Sequence, residues 1–387
     1  MSISLEKEIF LDDDIFAHKT YEVVTQVQSI FITGSTGFVG TFLIAELLKK
    51  TQANLYCLVR SENINLGKKR LLDNLSYYQL SQQGSERINV VIGNLEKPFF
   101  GLRHEEYNHL AKSVEVIYHV GASVSFIPSY EKLKPINVLG TQQCLRLACT
   151  GRIKAVHYVS TYAVFNTTSY NTHKIVYEKS LTNNSLGLRR GYGQSKWVAE
   201  KICEVAKQRN IPVTIYRLGI VSGDSRTGIQ NLSDIIAMTI SASLEMGYAI
   251  DIDFLLHLTP VDYCSQAIVN LSLDPHSYNN LFHLIQEHPI SWQQLIDWLI
   301  DQGYFLNRVS PSEWYKQIKQ LCHENSFFLP VLAVLSMDEK RSFWNNSNIF
   351  SLNFDSSNTK KILPKKDRCP KLIDQVLNNY IKHLNLK

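Results

Sequence analysis

The chain has 387 residues, of which 44% are hydrophobic, 11% aromatic and 19% charged, which excludes a disordered or low-complexity protein. That length exceeds the usual single core, so one large domain with a smaller appended lobe is expected. A formal charge of +5, from 40 basic and 35 acidic residues, is too mild for a nucleic-acid binder.

Residues 1–27 carry Asp12-Asp13-Asp14 and no long periodicity, and read as an arm or linker packed on the domain after it. Residues 29–33 form a short apolar, β-branched run. The turn Gly34-Ser35-Thr36-Gly37-Phe38-Val39-Gly40 then opens an amphipathic segment that reaches Lys50. In a strand, turn and helix such glycines provide a tight turn, close approach to a pyrophosphate and close helix-to-strand packing, so these residues are expected to bind a dinucleotide. A second run, 54–59, ends in Arg60, where an NAD-selective site usually places an acidic residue on the ribose hydroxyls. A guanidinium suits a 2′-phosphate, and Lys69 and Arg70 can add charge, which points to NADPH; the alternative is that Arg60 only ends a strand in water. Residues 88–92 read as the third strand, with Asn94 and Leu95 in its exit loop, where adenine would lie. Residues 116–120 read as the fourth, and the small Gly121 and Ala122 after it admit a cofactor ribose. His119, inside that strand, reads as a satisfied core residue.

Residues 130–148 have helical spacing, interrupted at Asn137 and at Gly140-Thr141. Residues 153–160 form the next strand, with Thr161 just beyond its end and facing the ligand crevice of such sheets. Gly191-Tyr192-Gly-Gln-Ser-Lys196 comes next; on a helix, residues four apart share a face, so the phenol and the ammonium enter one cleft. The cation is expected to lower the tyrosine's pKa, and Thr161, Tyr192 and Lys196 make the expected catalytic set. Residues 211–218 add a strand, and the β/α alternation implies a mainly parallel sheet. A loop over 219–228, a helix over 234–246, a return segment from Pro260-Val261-Asp262 and capping boxes at Ser291/Gln294 and Ser310/Glu313 complete the chain. The expected fold is α/β, a Rossmann-type doubly wound parallel sheet with a smaller, mostly helical C-terminal substrate lobe. Residues 28–222, with a return segment about 259–285, form the NADP-binding domain, and 223–258 with 286–387 the lobe. Seven scattered cysteines with no Cys-x-x-Cys, and no His-Glu-x-x-His, indicate neither disulfides nor a metal site. No apolar run reaches transmembrane length and no signal-peptide pattern opens the chain, so a soluble, cytoplasmic protein is expected.

Assembled, these residues resemble an extended short-chain dehydrogenase/reductase. Within that group the chain is similar to the terminal thioester reductase domain of nonribosomal peptide synthetases along nearly its whole length. The resemblance is carried by the segments 31–40, 56–60, 130–141, 158–161, 191–200, 217–228 and 260–263. The glycine loop is shared by many families, whereas Gln194-Ser-Lys-Trp-Val-Ala-Glu200 and Arg226-Thr-Gly-x-x-Asn231 are much narrower. Residues 11–15 are similar to the segment that joins a carrier domain to such a reductase, and with no adenylation or carrier domain alongside, either a free-standing reductase or an excised piece is implied. Asn94 stands where the family usually has aspartate and Ser125 where it has asparagine, which touches cofactor affinity and substrate preference. Several members that lack the tyrosine cyclise without reduction; Tyr192 is present. The resemblance implies NADPH held by residues 34–40, Arg60, Arg70, Asn94, Leu95, Gly121, Ala122 and Leu218 together with Tyr192 and Lys196. It also implies an acyl or peptidyl carrier protein as partner, whose phosphopantetheine-bound thioester is released as an aldehyde, with further reduction to the alcohol undecided. A fatty acyl-CoA reductase and an NAD-dependent sugar epimerase of the same superfamily are the alternatives.

Overall fold

The computed structural model describes residues 4–125, 127–166, 175–180, 185–188, 190–335 and 352–384. The expected arm and substrate lobe also span 1–3, 336–351 and 385–387, which lie outside the described residues. Seven apolar runs form one sheet: β1 (Ser29–Thr33), β2 (Asn54–Val59), β3 (Ile88–Ile92), β4 (Val116–His119), β5 (Ala155–Thr161), β6 (Val213–Leu218) and β7 (Leu281–Leu284). Their order is β7-β6-β5-β4-β1-β2-β3 and every pairing is parallel. The order reverses between β1 and β4, and ligands of such sheets bind in the crevice outside the carboxyl ends at that point. β1, β5 and β6 are buried along their whole lengths, as strands covered on both faces must be. This is why they read as continuous apolar runs rather than as alternation.

Helices α1 (Phe38–Lys50) and α2 (Ile64–Tyr77) cover one face through Leu43, Leu47, Leu71 and Leu75. The other face is covered by α3 (His104–Ser113), α4 (Tyr130–Lys134), α5 (Gly140–Cys149) and α6 (Gly191–Gln208), with Leu110, Leu145, Trp197 and Ile202 in its core. Between α4 and α5 the turn Pro135–Leu139 is π-helical, so the interruption expected near Asn137 is one turn of wider pitch inside a continuous rod. After β6 the chain forms α7 (Ile235–Met246) and returns through α8 (Val261–Ser272), which packs on α1. Asp234 caps α7 by accepting from the Ile236 and Ala237 N–H groups.

The later residues build a small lobe from α9 (Trp292–Asp301), α10 (Pro311–Glu324), α11 (Leu329–Leu335), α12 (Ser357–Ile362) and α13 (Asp374–Lys382). Trp292 and Trp314 are fully buried there, and their indole N–H groups donate to the carbonyls of Ile250 and Tyr248, each at 2.9 Å. The box at Ser291/Gln294 is closed from both sides. At Ser310 only half of it forms, because the Glu313 carboxylate turns to Lys316 and Gln317. Among the described residues no helix is long and apolar enough to cross a membrane, and no cluster of histidine, cysteine and carboxylate side chains could hold a metal ion.

Candidate active site

The glycine turn is shaped for a ligand's phosphates. Gly34 has φ +72°, and a Cβ there would lie 2.6 Å from the Gly121 nitrogen. A Cβ at Gly40 would lie 2.0 Å from the Gly34 carbonyl oxygen, so the start of α1 abuts the turn only without a side chain. Gly37 occupies the N-cap of α1, where no side chain caps the helix. The first helical N–H groups are thus left for an anion, which is the fit a dinucleotide pyrophosphate requires. Ser35 faces elsewhere: its buried hydroxyl donates to the Leu58 carbonyl at 2.8 Å and ties the turn to β2, leaving only its backbone for a cofactor. The Thr36 carbonyl accepts from Asn74 of α2 at 2.9 Å.

Arg60, at the end of β2, is exposed, as is Arg70 on α2. Lys69 pairs with Asp73 at 2.7 Å, and Lys68 turns inward to the Ile88 carbonyl at 2.6 Å, so the positive charge of this segment falls mainly to the two arginines. Asn94, half-buried after β3, accepts from the Glu96 N–H at 3.1 Å; this occupies one lone pair of its amide oxygen and leaves the amide N–H₂ to meet a base. Leu95 is packed where a Cβ on Gly121 or Gly140 would come within 2.9 Å and 2.6 Å of it, which explains why both positions are small.

His119 belongs to the support of this turn. Thr141 donates to the Asn137 carbonyl at 2.7 Å and so accepts from His119 Nε2 at 2.9 Å. His119 Nδ1 then accepts from Thr33 at 2.7 Å, and the Thr33 oxygen accepts from the Gly121 N–H at 3.1 Å. Burial, with a smaller push from the Lys196 charge, lowers this imidazole to about 3, which keeps it neutral and in one tautomer.

The catalytic candidates meet at the carboxyl end of β5. Thr161 is the last residue of that strand, not the first beyond it, and lies in register with Leu218 of β6. Tyr192 and Lys196 stand one turn apart on α6, with the Thr161 hydroxyl near enough to the Tyr192 phenol to act on its titration. The expected electrostatics needs correction. Burial raises Tyr192 to about 12, opposed by the Thr161 hydrogen bond, and burial lowers Lys196 to about 7. The reason is where the ammonium goes: it donates to the Val159 carbonyl at 2.7 Å and lies 4.1 Å from the centre of the Tyr158 ring. Helical spacing puts the two groups on one face but does not decide between charge and desolvation.

Two supports are not legible in the motifs. Asn137, carried inward by the π-turn, accepts from the Ser123 N–H at 2.7 Å and donates to the Ser195 hydroxyl at 2.9 Å, which in turn donates to the Tyr192 carbonyl at 2.9 Å. One amide thereby joins the loop after β4 to the helix that carries Tyr192. Glu200, one turn beyond Lys196, pairs with Arg217 of β6, both fully buried, and accepts from the Ser160 hydroxyl at 2.7 Å. Burial alone would raise Glu200, but the Arg217 charge and hydrogen bonds hold it below the ordinary carboxylate value. Arg217 also donates to the Ser180 carbonyl at 3.1 Å and to His283 at 3.3 Å, and the neighbouring Glu178 accepts from Thr359 at 2.6 Å. The spacing of Glu200 from Lys196 hints at a third member of the helix face; its partner on a strand cannot be read from it.

Residues 32–268 match the family described as male sterility protein. A linear gramicidin synthase subunit from Brevibacillus parabrevis is 40% identical over 318 residues, 82% of this chain and 6% of that protein. L-2-aminoadipate reductase of Saccharomyces cerevisiae is 32% identical over 308 residues, 75% of this chain and 22% of that one. The chain thus spans a minor part of the length of these curated relatives. The terminal R domain from the myxalamid PKS-NRPS biosynthetic pathway superposes with a TM-score of 0.91 at 35% identity, covering 98% of this chain and 96% of that domain. The chain belongs to the male sterility protein family of NAD(P)-binding folds, in its branch of terminal reductase domains of nonribosomal peptide synthetases.

Proposed function

We propose that this chain reduces a carrier-bound acyl or peptidyl thioester with NADPH and releases it as an aldehyde. The observation that carries the reading is the convergence of Thr161, the last residue of β5, with Tyr192 and Lys196, one turn apart at the start of α6. When bound, the nicotinamide supplies the hydride. The start of α1 would hold the phosphates, Arg60 and Arg70 the 2′-phosphate, Asn94 the adenine and Lys196 the nicotinamide ribose. As the carbonyl carbon is reduced, negative charge builds on its oxygen. Thr161 and Tyr192 donate to that oxygen, and a phenol raised to about 12 is protonated and ready to act as the acid at neutral pH. The hemithioacetal then loses its C–S bond as the C=O bond re-forms, and the sulfur leaves as a thiol.

Val124 and Ile127 of the loop after β4, and Leu186 before α6, are exposed apolar side chains on segments that flank the start of α6 in sequence or packing, and are candidates to meet a pantetheine arm. Beyond Leu218, a cavity of about 30 Å³ is lined by Ile220, Ile236, Leu258, Leu295 and Ile381 with Asp234. A carrier thioester should be used with a higher specificity constant than the same acyl group on coenzyme A, which shares the pantetheine arm, because only the carrier adds a protein surface whose remote contacts help position the reacting carbonyl. Equal efficiency for both donors in a steady-state NADPH oxidation assay would remove the carrier from the proposal.

The exposed guanidinium of Arg60 gives the cofactor choice its test. Arg60→Ala should weaken NADPH binding about tenfold and leave NADH binding nearly unchanged, since only the former carries the phosphate that a charge-assisted bond would hold. Dissociation constants from fluorescence titration decide this, and equal losses for both cofactors would contradict it.

A further inference from the structure

We propose that the N-terminal turn Leu5–Glu8 is a latch whose two carboxylates position Tyr192 from opposite sides, which makes Glu6 and Glu8 positioning residues; this rests on the reductase reading above. Glu6 Oε1 accepts both the N–H of Ser185, at 3.1 Å, and its hydroxyl, at 2.7 Å. Ser185 opens a turn closed by the Leu188 N–H on the Ser185 carbonyl at 3.0 Å, and the Leu188 carbonyl accepts from Gln194, two residues after Tyr192, at 2.8 Å. On the other side, Glu8 accepts from the Tyr130 hydroxyl at 2.9 Å and pairs with Lys134 at 2.5 Å, both on α4. The start of α4 is the wall against which the helix of Tyr192 begins: a Cβ on Gly191 would lie 2.4 Å from the Pro128 carbonyl oxygen and 2.7 Å from the Tyr130 nitrogen. Four residues of the arm thus clamp both neighbours of the Gly191–Tyr192 step.

The rest of the arm is anchored independently, which separates the latch from folding. Leu11 and Ile15 are buried in the core, Arg146 pairs with Asp12 and Asp14, and Arg209 donates to the Asp12 and Ile15 carbonyls. Both latch carboxylates are held below their ordinary value, Glu6 chiefly by the Ser185 hydroxyl and Glu8 chiefly by Lys134, so the latch stays engaged at neutral pH and loosens only on acidification.

The test uses the full chain carrying Glu6→Ala and Glu8→Ala together, beside Glu6→Gln alone. The double variant should lose about ten- to a hundred-fold in kcat, the scale expected when a catalytic group is slightly misplaced, with KM and NADPH affinity unchanged. Glu6→Gln should keep wild-type kcat, because the amide oxygen accepts the same two bonds from Ser185. An unchanged kcat in the double variant would overturn the latch, as would a loss accompanied by an equal fall in thermal stability and not rescued by Glu6→Gln. If the wild type reduced no thioester, the reductase reading would fail by itself. The latch would then be judged by hydrogen exchange over residues 185–195, where faster exchange in the double variant supports it and unchanged protection overturns it.

Discussion

Tyr192→Phe is expected to reduce the turnover of a carrier thioester by about 10²- to 10⁴-fold, the range that a positioned general acid supplies, while NADPH binding is retained. The ring still packs at the start of α6, and the backbone bond from Ser195 to the Tyr192 carbonyl is untouched, so the loss is confined to the proton donor. The pH profile carries a further signature. Because burial raises the phenol to about 12, the acid is protonated throughout the neutral range, and this group costs no activity until strongly alkaline pH. A wild-type profile that fell near pH 8 through loss of the tyrosine proton, or a Tyr192→Phe enzyme with most of its kcat, would assign the acid elsewhere.

Removing the Glu200 carboxylate should have the largest effect on stability. Glu200→Ala leaves the Arg217 guanidinium buried with its ion-pair partner gone, and breaking a buried pair from one side costs about 3–5 kcal/mol. Activity should fall as well, since Ser160, which donates to Glu200 at 2.7 Å, precedes Thr161 on β5. The pair also sets a direction in pH. Glu200 lies below its ordinary value of 4.5 in the folded chain, so its contribution is fully present above that value and is lost as the pH falls through the folded-state pKa. Glu200→Gln, which fills the same space and keeps one of the two acceptor oxygens without the charge, should lose less than Glu200→Ala in denaturant titrations. Equal losses in both variants would mean that what the amide retains contributes nothing, whereas an undiminished Glu200→Gln would mean that the charge contributes nothing.

The sheet is legible in the sequence because parallel strands buried on both faces must be continuous apolar runs, and those runs, punctuated by Gly34, Arg60 and Gly121, mark both strands and carboxyl ends. The helix through Tyr192 and Lys196 is legible for a similar reason: two functional side chains four apart define a face. What stays hidden depends on contacts between distant residues. Arg217 reads as a strand residue until the fold brings Glu200 to it, and Glu6 and Glu8 read as an acidic arm until Ser185 and Lys134 meet them. Asn137 reads as an interruption, but a π-turn has no composition of its own, so the inward aim of the amide emerges only with the backbone. The direction of the Tyr192 shift is hidden because desolvation depends on what packs around α6, which periodicity does not report.

The most direct test of reductive release is mass spectrometry of the products formed by the purified chain from an acyl carrier thioester, with NADPH and with NADH. The expected products are an NADPH-dependent aldehyde, or the alcohol derived from it, together with the free carrier thiol, and neither should form with Tyr192→Phe. Release of a free acid or a cyclised product without consumption of NADPH, or an unaltered thioester, would contradict reductive release.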